Sequence, residues 1–242
     1  MTRAYYNEID GYCCDWLSNL MDAQLITPGK IDNRSIVDVS PDDVTGFQRV
    51  HFFAGIAGWD LALNLAGWGE RECWTGSCPC QALSSAARGR NVATDRWPDW
   101  LPIIAASRPR ALFGEQVAHN EDWLDRVCDD LDSLGYEIGA AVLPAVSVGA
   151  DHSRPRIYFV GHADGNGQPG MRLDEKMAEL RRYRSDTRSM VPSNGLPARM
   201  AVFSAFGNAI VPQVAAEFIG AYLDVMSGRD TVTPRDTGGG DG

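Results

Sequence analysis

The sequence predicts an α/β sheet with crossover helices, on three observations. Short apolar runs alternate with helical patterns from residue 50 to about 160. Three stretches rich in small or polar residues, 54–58, 75–89 and 114–117, follow predicted strands, where an α/β sheet gathers its ligands at the carboxyl ends. The chain has 242 residues and 44% apolar content, enough for one full core.

Each element follows in order. Residues 7–25 carry Ile9, Trp16, Leu17, Leu20 and Met21 at roughly helical spacing, which predicts an amphipathic helix ended by Thr27-Pro28-Gly29. Residues 30–46 are polar and acidic, so 1–46 reads as an N-terminal helical extension. From Val50, VHFFAGIAGWDLALNLAGW reads as a buried strand, a glycine-containing turn and a helix. A second strand is expected at 72–76, a helix at 97–106, a short strand at 111–113 and an acidic-faced helix at 122–134, closed by Gly135. Residues 136–148 predict one or two strands, and RIYFV at 156–160 a further one. These elements make a catalytic core over 47–162. Residues 163–198, rich in Gly, Pro, Arg and Ser, read as an excursion from the core. The segment 199–226 completes the core with a final helix over 208–223, and 227–242 reads as a disordered tail.

No run of 18 apolar residues occurs, and residues 1–20 lack the basic start and apolar block of a signal peptide. The six cysteines, Cys13, Cys14, Cys73, Cys78, Cys80 and Cys128, fit a reduced, cytoplasmic setting. The net charge of −10 argues against a phosphate-rich partner by its sum. Its distribution leaves one open, because Arg88, Arg90 and Arg96, Arg154 and Arg156, and Arg181, Arg182, Arg184 and Arg188 gather away from the acidic stretch at 121–137.

The cysteine loop TGSCPCQALSSAARG admits several chemistries. A structural zinc site needs two ligand pairs, and no second Cys/His pair follows at a suitable spacing. A redox pair is disfavoured because the spacing is CxC rather than CxxC. Cys13, Cys14, Cys73 and Cys128 read as buried structural thiols. Cys80 follows a proline at the end of a predicted strand. A thiol placed there, near helix amides, favours the thiolate and can act as a nucleophile.

Five motifs then align in one order. PCQALS at 79–84 resembles the cysteine loop of DNA cytosine-5 methyltransferases, and FFAGIAGW at 52–59 resembles their FAGxGG cofactor turn. GEQV at 114–117 resembles their ENV motif, HSRPRIYFV at 152–160 their QxRxR segment, and FGNAIVP at 206–212 their closing GNSVxP motif. The first 50 residues also look like the leader of short phage and prophage members.

The resemblance implies a Rossmann-like sheet that binds S-adenosylmethionine and acts on a flipped cytosine in DNA. It implies Cys80 as the nucleophile at carbon 6, Glu115 as the acid at ring nitrogen 3, and Arg154 and Arg156 as holders of the carbonyl oxygen and phosphate. Phe53, Ala54, Gly55, Gly58, Pro79, Asn208 and Ala209 match cofactor-site positions. Gln81, Ser84, Arg88, Arg182 and Arg184 are placed to contact DNA; no metal is implied.

The sequence departs from the pattern at Ala57 for a glycine, His51 for an acid, Gln116 for Asn and His152 for Gln. Two strands that usually lie between the cofactor turn and the cysteine loop are missing there, with only Glu70 and Glu72 as acids, so the cofactor half reads as shortened. The N-terminal extension or another subunit, in a homo-oligomer or from a partner, could replace them. The target-recognition region is reduced to 163–198. Two alternatives stand beside methyl transfer: a cytosine-modifying or deaminating enzyme that uses the same cysteine addition, and a degenerate homologue that binds DNA or a partner without methyl transfer.

Overall fold

The computed structural model describes residues 3–79, 95–118, 120–163 and 209–230. The strands are β1 (Ala4–Asn7), β2 (Gly29–Asp32), β3 (Arg49–Phe52), β4 (Cys73–Gly76), β5 (Ala111–Val117), β6 (Glu137–Leu143) and β7 (Arg156–His162). The helices are α1 (Gly11–Asp22), α2 (Gly58–Leu65), α3 (Trp97–Ser107), α4 (Glu121–Ser133) and α5 (Pro212–Asp230). One sheet runs β2-β1-β3-β4-β5-β7-β6. The pairs from β2 to β5 are parallel, while β7 is antiparallel to both β5 and β6.

Local signals set the boundaries. Asp10 caps α1, its carboxylate accepting from the Cys13 amide at 3.1 Å. Arg108, left-handed at φ 53, ends α3, and Gly135, at φ 76, follows α4. Proline opens α5, where its missing N–H costs nothing.

Register assigns the two faces of the sheet. Tyr6, His51, Thr75 and Phe113 align across β1, β3, β4 and β5 and face α1, α2 and α5. Tyr5, Val50, Trp74 and Leu112 align on the other face, against α3, α4 and the 3₁₀ turns Ile36–Asp38 and Pro41–Val44. The chain after β3 therefore leaves to one face and the chain after β4 arrives at α3 on the other. Loops that part in this way open a crevice at the carboxyl ends of their strands.

The α/β sheet is the expected one, but the half expected to be short is not. Residues 1–46 are no appended helix: β1 and β2 lie in the sheet, and β1 pairs directly with β3 from Ala4↔Arg49 to Asn7↔Phe52. The two strands sought after the cofactor turn precede it in the chain. AYYN is buried throughout and four residues long, so it shows no alternation by which a strand could be recognised. The order has a topological consequence. The β1-α1-β2 and β3-α2-β4 crossovers run in opposite directions with both helices on one face, so they have opposite hands, and one breaks the right-handed preference.

Smaller differences follow. GEQV belongs to β5 rather than to a loop after it, β6 ends at Leu143, and α5 continues to Asp230, past the expected end of order at 227. The excursion beyond residue 163 lies outside the described residues up to Ala209.

A buried charge cluster ties the parallel half together. Arg49 donates from Nη1 to Asp60 Oδ1 at 2.7 Å, Asn64 Oδ1 at 2.7 Å and Thr27 Oγ1 at 3.0 Å, and from Nη2 to the Gly69 carbonyl at 2.9 Å. The Thr27 amide donates to Asp60 Oδ2 at 2.7 Å. His51 lies 3.4 Å from Asp60 Oδ1, 2.8 Å from Thr75 Oγ1, and stacks on Tyr6. Burial pushes the Asp60 carboxyl up, but His51, the Thr27 amide and Arg49 more than offset it and hold it well below the usual range. Its contribution is present above the unfolded carboxylate value and is lost only as pH falls through the lower folded value. Asp60→Ala should cost roughly 3–5 kcal/mol in urea denaturation at neutral pH, because it leaves the Arg49 charge buried. A loss under about 1 kcal/mol would remove the cluster from any structural role.

Candidate active site

Three stretches of chain meet at the crevice. The turn after β3 is strained at Phe53 and Ala57, with φ of 52 and 62°, while Gly55, at φ 55°, takes the same region freely. Phe53 is held edge-on to Trp100, with ring centroids 6.0 Å apart. The turn is pinned by the Ala54 amide donating to the Asn7 carbonyl at 3.0 Å and the Gly55 amide to Glu8 Oε2 at 2.7 Å. A Cβ on Gly58 would stand 2.8 Å from Ile210 Cγ1, so only glycine lets the segment after residue 208 pack on the turn. A cavity of about 510 Å³ borders the turn, lined by Ala57, Gly58, Arg154, Ala209 and apolar residues of α1 such as Trp16 and Leu20.

The second stretch leads into the cysteine loop. The Gln116 side chain donates to the Cys78 carbonyl at 3.2 Å and accepts from the Val117 amide at 2.9 Å. It clamps the start of that loop to β5. Pro79 is half-buried and is the last described residue before it. Cys80, Gln81, Ser84 and Arg88 lie outside the described residues, as do Arg182, Arg184 and Asn208.

The third stretch brings charge. Glu115 is buried on β5, and its Oε1 lies 3.0 Å from Arg156 Nε on β7. Arg154 adopts a left-handed conformation at φ 39 and donates from Nη2 to the Ala209 carbonyl at 2.9 Å, joining the segment before β7 to the one before α5. Burial raises the Glu115 carboxyl above its usual range, and Arg156, Ser77 and Arg154 only partly counter it. A carboxyl raised in this way holds its proton to higher pH than a free one. By contrast, burial pushes the Cys13 and Cys128 thiols up to about 12 and raises Cys73 and Cys14, as suits thiols with no reactive task.

The structure thus brings together Glu115, Arg154, Arg156, Pro79, Ala209 and the 53–58 turn, all singled out from sequence. Glu8 was missed. It stands at the carboxyl end of β1, one residue beyond the Asn7↔Phe52 pair, with Oε1 accepting from the Asp10 amide at 2.8 Å and Oε2 from Gly55. The signal is an acid separated by one residue, Asn7, from the short run Ala4-Tyr5-Tyr6, in a segment that reads as outside the sheet.

A profile of C-5 cytosine-specific DNA methylases matches residues 69–193, just over half of the chain. The chain belongs to that family. This methylase-family chain is also similar to the Type II methyltransferase M.HhaI of Haemophilus parahaemolyticus, 22% identical over 169 residues, 52% of each chain. It therefore spans about half the length of that curated relative. Among solved structures, a Spodoptera frugiperda DNMT2 mutant gives a TM-score of 0.46 at 15% identity, covering 80% of this chain and 49% of that one. A putative DNA modification methyltransferase from an E. coli prophage gives 0.43 at 13%, covering 72% and 50%. Among the described residues, no helix of this family member is long and apolar enough to cross a membrane.

The raised Glu115 carboxyl predicts a trade between stability and poise. A raised folded value favours the native state below the unfolded carboxylate value and costs stability as pH rises through the folded one. Glu115→Gln keeps an acceptor for Arg156 without the charge. Its melting temperature should gain on wild type as pH rises from about 4 to about 8. A difference that stays constant over that range would mean that Glu115 titrates normally.

Proposed function

We propose that this chain methylates carbon 5 of cytosine in DNA, with S-adenosylmethionine as the donor. The observation that carries the reading is the buried Glu115–Arg156 pair, set beside a cysteine loop whose entry Gln116 clamps. Cytosine carbon 5 is a weak nucleophile. The Cys80 thiolate adds to carbon 6 while Glu115 gives its proton to ring nitrogen 3, and the electron pair displaced from the 5,6 double bond makes carbon 5 nucleophilic. Carbon 5 takes the methyl group, a base removes its proton, and the thiolate leaves with the double bond restored while ring nitrogen 3 returns its proton to Glu115. Arg156 keeps the Glu115 carboxyl in place, and Arg154 holds the closing segment to the site. The base must leave the stack to reach these groups, at about a few kcal/mol. Gln81, Ser84, Arg88, Arg182 and Arg184 are the proposed DNA contacts.

The residues at the turn fit the donor. Glu8 would take the ribose hydroxyls, Phe53, Ala54, Gly55 and Gly58 would offer close backbone approach, and Pro79, Asn208 and Ala209 are the proposed remainder of the donor site. When bound, S-adenosylmethionine supplies an electrophilic methyl group. A degenerate, non-catalytic homologue is favoured chiefly by a missing cofactor half. With β1 and β2 in the sheet that support is gone, and no second subunit is needed for those strands.

Labelled methyl transfer to cytosine-containing DNA should be seen with wild type and be lost in Cys80→Ala. A 5-fluorocytosine duplex should trap a covalent complex with wild type alone. Trapping without methyl transfer would point to the deaminating alternative. In calorimetry, Glu8→Ala should weaken S-adenosylmethionine binding roughly 10–100-fold, the loss of charged hydrogen bonds. Unchanged affinity would take Glu8 out of the donor site.

A further inference from the structure

Trp59 follows directly on the cofactor turn and is buried on the α2 face of the sheet. Its indole Nε1 donates to Ser77 Oγ at 3.1 Å. An indole N–H can only donate, so the Ser77 oxygen accepts and its own proton must go elsewhere. The β4–β5 register pairs Gly76 with Gly114, so the next residues, Ser77 and Glu115, are neighbours with side chains on one face. The same face holds Phe113, whose ring lies 6.3 Å from that of Trp59, which fixes the indole against the strand that carries Glu115.

We infer that Ser77, with its hydroxyl oriented by Trp59, is a positioning residue for Glu115 that donates to the carboxyl and sets how readily it gives up its proton. The inference rests on the reading of Glu115 as the catalytic acid. Burial raises that carboxyl, and Ser77 acts against burial together with Arg156 and Arg154. The groups facing the carboxyl are Arg154, Arg156 and Tyr158 from the β7 side and Ser77 from β4; Tyr158 stands opposite Glu115 in register. Of these, Ser77 alone is a neutral donor whose hydroxyl direction a second side chain dictates. Trp59 sits one residue beyond Gly58, so the device ties the turn that would hold the methyl donor to the acid.

The sign of the effect follows. A donor to the carboxylate favours its charged form, so removal of the donor lets the acid stay protonated to higher pH. In Ser77→Ala the alkaline limb of the methyl-transfer rate should move up by roughly 0.5–1 pH unit, as for the loss of one hydrogen bond. Trp59→Phe should move it the same way by less, and Ser77→Thr should restore the wild-type limb. A purely structural role would change the rate or the melting temperature and leave the limb where it is. Carboxyl-carbon NMR of glutamate-labelled protein, with the Glu115 signal assigned by its loss in Glu115→Gln, reads the same titration without substrate. An upward move in Ser77→Ala supports the inference even if wild type methylates nothing, in which case the activity reading alone falls. An unmoved Glu115 titration in Ser77→Ala overturns the inference, whatever the methylation assay gives.

Discussion

The parallel pairing of β1 with β3 is the interaction on which the rest of the site depends. A strand in the middle of a parallel sheet must satisfy its backbone on both sides, and β3 does so with β1 and β4. That pairing puts Glu8 level with the residue that follows β3. The Gly55 amide closes on its carboxylate at 2.7 Å across a separation of 47 residues. Without β1, the turn at 53–58 would lose both its anchors, the Asn7 carbonyl and the Glu8 carboxylate. Two non-glycine residues of that turn, Phe53 and Ala57, have positive φ, a state that only over-determined surroundings maintain.

Two buried carboxylates show how one fold directs charge to opposite ends. Asp60 sits among Arg49, His51 and the Thr27 amide, and its charged form wins despite burial. Glu115 has Arg156 at 3.0 Å, but that arginine is partly open to solvent and shares its field with Arg154, so burial wins. The difference lies in the surroundings, since both are carboxylates. Around Asp60 the donors outweigh burial, whereas Glu115 is left short of full compensation.

The site was legible in sequence wherever its chemistry is local. PCQALS, FFAGIAGW, GEQV and HSRPRIYFV each carry their residues within a few positions, and the structure gathers the described ones at one crevice. What was not legible is what depends on chain order. The family pattern puts two strands between Ala66 and Cys78, where this chain has room for only one. They lie before β3 as four-residue segments, AYYN and GKID, whose strand character comes from neighbours distant in sequence and not from a pattern of their own. The strand position of Glu115 is hidden in the sequence for a related reason. The strand ALFGEQV contains a glycine, and Gly114 is tolerated there because the Phe159 ring occupies the space of a Cβ.

Three consecutive residues at the start of α2 tie the helix to three separate parts of the fold. A helix turns about 100° per residue, so Gly58, Trp59 and Asp60 point in three directions. Gly58 admits Ile210 and with it the segment before α5. Trp59 reaches Ser77 at the mouth of β4. Asp60 reaches back to Arg49 and Thr27 at the far end of the parallel strands. A shift of α2 by one residue would break all three links together, because each needs its own residue type: none for space, an indole N–H for direction, a carboxylate for charge. The unusual hand of one crossover is tolerable for this reason. The helix is fixed by the specific partners of its first turn, and the sheet's general preference for one hand is left with little to decide.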